Sequence, residues 1–323
     1  LFFSLTIFLL SIISSDFLEN GSKMAIFAKE MFEDGISFFP KIYGEYYPRF
    51  SFLSLLPTYI LSLIFRNVNL FTCAFPTAIA STITVSLVYM TGLSISRKLA
   101  IWSVIMLVGT NLFLSSTSSI FPEQFVSMLS IASIYLLFAV NDYSNKKKLV
   151  FILPIAILGF LFKGVSGFFV PTFLTLIYCI IERDWKKVAI FLGFSSGILF
   201  LLLSISSFMA YRTGETTFLK NFIYSQFFGN VEENKEPFYY YFFQSILAYG
   251  ISFPIAFIFI GIYWKKIIFK SNSSYKFLAC LSAYFVLFLL SLSLFSIKED
   301  NFLLPILPAT SLISAHFFYK SYK

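Results

Sequence analysis

Long runs of apolar residues, separated by short polar clusters, dominate the sequence. A helix that crosses a bilayer needs ~20 mostly apolar residues, so the runs predict about ten membrane-spanning helices. The predicted segments are 1–14, 69–92, 99–116, 121–140, 149–162, 165–181, 188–210, 242–264, 277–296 and 302–319. The connections are short, and no linker marks a second globular domain. We therefore predict an all-α, polytopic transmembrane bundle formed by one domain, residues 1–323. The run 1–14 is short for a span, so either the start of the sequence is irregular or the first helix is truncated.

The basic residues are concentrated in alternate connections. Fourteen of the 24 Lys and Arg residues, with only three acids, lie in 94–98, 141–148, 182–187, 265–276 and 320–323. The positive-inside rule places these connections in the cytoplasm and the others outside. We therefore assign the net charge of +8 to contacts with phospholipid headgroups rather than with nucleic acid. We expect a bacterial inner-membrane protein.

The segment 50–65 is apolar but, at roughly 16 residues, short for a span. A full crossing there would place Arg97 and Lys98 on the wrong side of the membrane. We therefore expect a helix that dips into the outer leaflet.

Three polar regions then meet on the extracytoplasmic face. In the first loop, 15–49, Met24, Phe27, Ala28 and Met31 recur at helical spacing before Gly35, which predicts an interfacial amphipathic helix of about three turns. The second region is the turn at Lys163. The third is the long loop 211–241, with the connection 298–301 beside it. Lys163 could be a snorkelling residue in a tight turn or a phosphate contact, and both interpretations stay open.

Composition agrees with the membrane interpretation. Only 12% of residues are charged and 58% are hydrophobic, whereas soluble domains carry about 25% charged residues. Cys73, Cys179 and Cys280 all lie in apolar runs, so we expect buried thiols. The single histidine, His316, is expected at an interface rather than in a metal site.

Four motifs, in order, resemble those of one enzyme family. They are "AIFAKEMFEDGISFFPKIYGEYYPRF", "GFLFKGVSGFFVP", "EPFYYYF" and "KEDNFLLPILP". They are similar to A-x-x-A-R-E-M…G-x-x-Y-F-E-K-P, L-T-K-G-P-x-G-x-x-x-P, P-F-x-Y-Y and K-x-x-x-Y-L-L-P-x-x-P of the aminoarabinose transferases and protein O-mannosyltransferase-like enzymes. These are membrane glycosyltransferases of the GT-C class. The resemblance implies transfer of a sugar from a polyprenyl-phosphate carrier to lipid A, another envelope glycan or a protein.

The resemblance also implies which residues bind the carrier. Arg49 stands at the phosphate-binding lysine of E-K-P and keeps its charge. Tyr46 and Tyr47 match the aromatic pair before that site. Lys163 matches the lysine of T-K-G-P, and Lys298 the lysine before Y-L-L-P.

The catalytic carboxylate fits the family pattern less well. Asn20 and Gly21 stand where the family has D-E, so the resemblance leaves Glu19 or Asp16 to act as the base. Glu19 could equally be a solvated acid at a helix start. Glu123, which follows Pro122, lies near the place where the family has a second acid, and it too could simply be a helix N-terminal acid.

Some family members bind a divalent metal through the Glu of E-K-P and a loop His. Those positions hold Pro48 and Phe227 here, so we expect no metal site and no cofactor. Two alternatives to an enzyme stay open, namely a lipid-linked-sugar flippase and a non-catalytic relative. The sequence does not identify the sugar or the acceptor.

Overall fold

The computed structural model describes residues 5, 6, 8, 19–48, 52–118, 120–140, 143–227, 237–269, 273–294 and 298–321. In this part of the chain, helices account for nearly all of the regular structure. They are α1 (Glu19–Asp34), α2 (Leu56–Phe65), α3 (Leu70–Leu93), α4 (Arg97–Val108), α5 (Asn111–Ser115), α6 (Pro122–Phe138), α7 (Asn145–Ile181), α8 (Trp185–Phe227), α9 (Tyr240–Tyr249), α10 (Ser252–Phe269), α11 (Ser273–Leu294) and α12 (Leu307–Ser321). Short 3-10 segments cover Phe52–Ser54, Ser116–Ser118 and Asp300–Ile306.

The described part of the chain contains several helices of membrane-spanning length. Five helices of the described chain are long and apolar enough to cross a membrane: Leu70–Leu93, Asn145–Ile181, Trp185–Gly214, Ser274–Leu294 and Asp300–Tyr319. Two bent pairs raise this number to seven, with angles of 68° between α4 and Asn111–Ser118 and 115° between α9 and Ser252–Lys266. The prediction of about ten spans is not confirmed. Segments 99–116 and 242–264 are broken, and α6 has only 17 residues.

The helix α7 reverses direction at its middle. Lys163 (φ −142°, ψ 24°) and Gly164 (φ 63°, ψ −145°) leave the helical conformation. A β-carbon on Gly159 would collide with the carbonyl of Gly167, although eight residues of continuous helix would separate them by ~12 Å. The two arms therefore pack against each other, so α7, which counts as one of the five long helices, contains both predicted segments 149–162 and 165–181.

The helix α1 packs beside the main core of the bundle. On α1, Met24, Phe27, Ala28 and Met31 are buried against Leu55, Cys73 and Ile120, whereas Lys23, Lys29, Glu33 and Asp34 are exposed. Gly35, at φ +93°, follows the last helical residue. The predicted amphipathic helix is therefore present, with its polar face outward.

The segment 50–65 does not form a full span in its described part. The helix α2 has ten residues and so a length of ~15 Å, about half the ~30 Å thickness of the hydrocarbon layer. This length agrees with the prediction that the segment enters only one leaflet.

The bundle core lies among α3, α4, α6, α7, α11 and α12, where Tyr284, Phe285 and Leu107 are fully buried. By contrast, α8 packs mainly on α7 and leaves large apolar side chains such as Phe200 and Phe208 exposed. Exposed apolar surface of this kind suits lipid, so the chain is an integral membrane protein.

Candidate functional site

Lys163 and Glu123 form an ion pair at one end of the bundle. Lys163 lies at the tip of the α7 reversal, and Glu123 lies in the first turn of α6, directly after Pro122. Lys163 Nζ pairs with Glu123 Oε1, and the side chains are only 20% and 10% exposed. The ammonium group also lies 4.4 Å from the centroid of the Phe302 ring. The pair therefore brings together three segments that are distant in the sequence.

The pair bears on the two interpretations of Lys163 and on those of Glu123. Lys163 is not a lone snorkelling lysine, because its charge is neutralised by a nearly buried acid. Glu123 does lie at a helix N-terminus, where the helix dipole favours an acid, and it also binds the cation. The sequence identified both residues as candidates but did not indicate their contact.

The last turn of α8 holds the backbone beside Lys163. The Val165 N–H donates to Gln226 Oε1 at 3.2 Å. Ser225 Oγ donates to the Pro48 carbonyl at 3.2 Å, so the same turn reaches the end of the first loop. The structure thus joins the α7 reversal to the segment that leads into Arg49. No sequence pattern singled out Gln226.

A second polar cluster connects α9 to the segment that begins at Lys298. The Tyr240 hydroxyl donates to Asp300 Oδ1 at 2.8 Å, and Gln244 Nε2 donates to Oδ2 at 2.5 Å. The Tyr241 hydroxyl donates to the Glu299 carbonyl at 3.2 Å. Lys298 is partly buried at the start of this segment, four residues before Phe302.

The sequence indicates the two segments of this second cluster but not the contacts between them. The motifs "EPFYYYF" and "KEDNFLLPILP" pointed to the two segments, but not to Tyr240, Gln244 or Asp300 as partners. Phe302 occupies the tyrosine position of the K-x-x-x-Y pattern, where its ring faces Lys163.

The first loop carries a β-hairpin before Pro48. Lys41–Ile42 pairs antiparallel with Glu45–Tyr46. The turn residues Tyr43 and Gly44 have φ of 53° and 82°, which is the signature of a type I′ turn. The two carboxylate oxygens of Glu30 accept from the backbone N–H groups of both turn residues. The amphipathic helix α1 therefore fixes the hairpin.

The two predicted tyrosines contact different parts of the protein. Tyr46 is 40% exposed and its ring lies 6.4 Å from that of Phe218 on α8. Tyr47 is partly buried, with its ring 5.3 Å from that of Phe27 on α1. Both lie in the segment that leads to Pro48, and the hydrogen bond from Ser225 to the Pro48 carbonyl links this segment to the last turn of α8.

The remaining predicted site residues are described in part or not at all. Glu19 begins α1, but its side chain lies outside the described part of the chain. Asp16 and Arg49 lie outside the described residues altogether. The predicted convergence of Arg49, Lys163, Lys298 and an acid near Glu19 therefore stays a prediction.

The described residues contain no group of three or more His, Cys, Asp or Glu side chains that could hold a metal ion. His316 is 2% exposed and buried in the protein, with rings of Phe259 and Phe277 at 6.1 and 6.0 Å. Cys73, Cys179 and Cys280 are free and buried, as predicted.

Comparison with known proteins identifies the fold. Residues 54–211, just under half of the chain, match the family model described as dolichyl-phosphate-mannose-protein mannosyltransferase. No curated protein matches the sequence. The structure is similar to that of ArnT from Cupriavidus metallidurans bound to undecaprenyl phosphate, with a TM-score of 0.73 and 12% identity over 91% of this chain and 54% of that one.

Two further solved structures are similar. The apo state of the same ArnT gives a TM-score of 0.71 at 12% identity, over 93% of this chain and 55% of that one. The oligosaccharyltransferase of Archaeoglobus fulgidus, in complex with zinc and sulfate, gives 0.60 at 9% identity, over 94% and 45%. The chain thus spans about half the length of the structures that it matches.

Proposed function

We propose, from the GT-C glycosyltransferase fold that this chain has, that it transfers a sugar from a polyprenyl-phosphate carrier to an acceptor in the cell envelope. The acceptor is lipid A, another glycan or a protein. The observation that carries the proposal is the Lys163–Glu123 pair, which provides a partly buried cation at the end of the bundle where the first loop and the Asp300–Ile306 segment also lie. We further propose that this end faces the extracytoplasmic side of a bacterial inner membrane.

The reaction requires a cation at the leaving group. An acceptor hydroxyl attacks the anomeric carbon with inversion, the bond from that carbon to the phosphate oxygen breaks, and polyprenyl phosphate leaves with the electron pair. Lys163 supports this step, because its ammonium group can donate to the phosphate oxygens as their charge develops. We assign Lys298 and Arg49 to the same phosphate, and Tyr46 and Tyr47 to the wall beside it.

A carboxylate must take the proton from the acceptor hydroxyl. We propose Glu19 or Asp16 for this role, and we assign Glu123 to holding Lys163. We propose that the reaction uses neither a cofactor nor a metal, because the leaving group is already activated and the metal-binding positions of the family hold Pro48 and Phe227.

A non-catalytic relative that binds the carrier is the second candidate. It is favoured by one specific observation: Asn20 and Gly21 stand where the family has D-E, and an asparagine cannot act as a base. This candidate shares the carrier-binding residues of the enzyme and lacks only the proton acceptor.

The test is a transfer assay with purified protein in lipid nanodiscs, polyprenyl-phosphate sugars and envelope acceptors, with and without EDTA. We expect transfer in both conditions. Lys163→Met and Glu19→Gln should lower turnover by at least ~10²-fold, the usual effect of removing a charge-stabilising or proton-accepting group. Lys29→Met is the matched control, because that lysine is exposed on α1 and pairs only loosely with Glu33 at 3.9 Å.

The outcomes separate the candidate functions. Binding of undecaprenyl phosphate without transfer to any acceptor would establish the non-catalytic relative. Movement of lipid-linked sugar across a proteoliposome membrane, without transfer, would establish a flippase. Full activity of Lys163→Met would refute the site. Mass spectrometry of the envelope from strains with and without the gene would identify the sugar and the acceptor by the mass that is lost.

A further inference from the structure

We infer that Gln226 is a positioning residue, which holds Lys163 in its place by capping the reversal of α7. The inference rests on the proposed function for its link to carrier binding, but its structural part can be tested separately. It assigns a role to the last turn of α8, far from α7 in the sequence.

The first element of the argument is a backbone donor without a helical partner. Because the chain reverses at Lys163 and Gly164, Val165 begins a new helical arm, and the first N–H groups of a helix have no acceptor within it. The carboxamide oxygen of Gln226 accepts from the Val165 N–H at 3.2 Å. A side chain 61 residues away therefore supplies the helix cap that the local sequence lacks.

The second element is steric. Gly164 has φ 63° and ψ −145°, a backbone region that is essentially restricted to glycine. The Gln226 carboxamide also occupies the space where a β-carbon on Gly164 would lie. The absent side chain and the inserted amide thus complement each other, and together they fix the reversal.

The third element is the consequence for Lys163. Lys163 precedes Gly164 directly, and its carbonyl accepts from Ser166 Oγ at 3.0 Å within the same turn. The direction of the Lys163 side chain, toward Glu123 and the Phe302 ring, therefore depends on the backbone that Gln226 caps. Within the described part of the chain, Gln226 bonds the backbone of the turn and Lys163 pairs with Glu123, so Gln226 acts on the ammonium group through the turn.

The chemistry of the side chain agrees with this role. A neutral amide can accept from the Val165 N–H without adding a negative charge beside the Lys163 ammonium group. A glutamate at the same position would accept the same hydrogen bond, but its charge would compete with Glu123 for Lys163. The variant Gln226→Glu therefore tests whether Gln226 affects Lys163 or only supports the fold of the turn.

The experiment combines hydrogen exchange with carrier binding. In Gln226→Met, we expect the peptide that contains residues 163–167 to exchange about three- to tenfold faster, the change that corresponds to the loss of one hydrogen bond. Undecaprenyl phosphate should bind about three- to tenfold more weakly, for the same reason. In Asn221→Met, an exposed position five residues earlier on α8, both quantities should match the wild type.

Two further variants show whether Gln226 acts through Lys163. Gln226→Glu should keep wild-type exchange at residues 163–167 and still bind undecaprenyl phosphate more weakly, which a purely structural role would not produce. Adding Gln226→Met to Lys163→Met should weaken binding no further than Lys163→Met alone.

Unchanged hydrogen exchange at residues 163–167 in Gln226→Met would overturn the inference. So would a double variant, Gln226→Met with Lys163→Met, that binds undecaprenyl phosphate more weakly than Lys163→Met alone. If Lys163→Met binds undecaprenyl phosphate as well as the wild type, the proposed carrier site fails instead. In that case the exchange measurement still decides whether Gln226 caps the turn.

Discussion

The Lys163–Glu123 pair allows a quantitative test of the site. Removing one member of a buried ion pair costs ~3–5 kcal/mol of unfolding free energy, because the other charge is left without its partner in a poorly solvated place. Here the side chains of Lys163 and Glu123 are 20% and 10% exposed, and the Phe302 ring also attracts the ammonium group. We therefore expect Glu123→Gln to destabilise the protein by about 1–3 kcal/mol, below the fully buried case.

The assay is a double-mutant cycle. The unfolding free energies of the wild type, Glu123→Gln, Lys163→Met and the double variant are measured with denaturant in one detergent. The double variant contains no unpaired charge at this place, so we expect a coupling energy of about 1–3 kcal/mol and a double variant that is more stable than the sum of the single effects predicts.

The exposed Lys29–Glu33 pair on α1 is the matched control. Its atoms are 3.9 Å apart and its side chains are 66% and 58% exposed. An exposed pair of this spacing contributes ~0.3–0.5 kcal/mol. A coupling energy at Lys163–Glu123 no larger than that of the control would refute the inference that the pair is shielded and structurally important.

Three further predictions concern the surroundings of the site and the opposite end of the bundle. Gly164→Ala should lower the unfolding free energy by at least ~1–3 kcal/mol, because only glycine fits its backbone conformation; an unchanged denaturation midpoint would contradict this. Glu30→Ala should speed hydrogen exchange at the hairpin turn about tenfold, whereas Glu33→Ala should not; equal exchange in both would show that the Glu30 contacts are unimportant. Hydrogen bonds from the side chain and backbone of Lys187 lower the pKa of Asp184 at the start of α8. The stabilisation by Asp184 should therefore be constant above its unfolded pKa of ~3.9 and disappear as the pH falls through the lower pKa of the folded state. Thermal unfolding of the wild type and of Asp184→Ala from pH ~2 to ~8 would check this dependence.

The sequence predicted those features that have a local cause. The amphipathic helix α1 follows from apolar residues at helical spacing and ends at Gly35, which the structure places at positive φ. The α7 reversal follows from a lysine and a glycine between two apolar runs, since a charge at that point is unfavourable unless it reaches the end of the bundle.

The features that the sequence did not predict depend on contacts between distant segments. The chain is apolar on both sides of Gly250, so composition indicated one continuous span at 242–264. The 115° bend between α9 and Ser252–Lys266 accompanies a positive φ at Gly250 and a hydrogen bond of 2.6 Å from the Tyr249 hydroxyl to the Leu303 carbonyl. Neither is visible as a pattern of hydrophobic residues.

The candidate site was predicted as a set of residues but not as a network. Lys163 was identified from its position between two apolar runs and Glu123 from the family resemblance, yet a pairing across 40 residues has no signature in a single sequence. Gln226 and Asp300 were missed because their roles consist entirely of hydrogen bonds to other segments.

Under the proposed function, the ion pair prepares a partly buried lysine for a phosphate ligand. Most of the desolvation of Lys163 takes place on folding, when Glu123 and the Phe302 ring replace water around the ammonium group. A phosphate that arrives later can add its oxygens to a cation that is already oriented and shielded, so less of its binding energy is spent on ordering the site. The same reasoning gives Gln226 its importance, because the benefit of a pre-oriented cation depends on the rigidity of the turn that carries it.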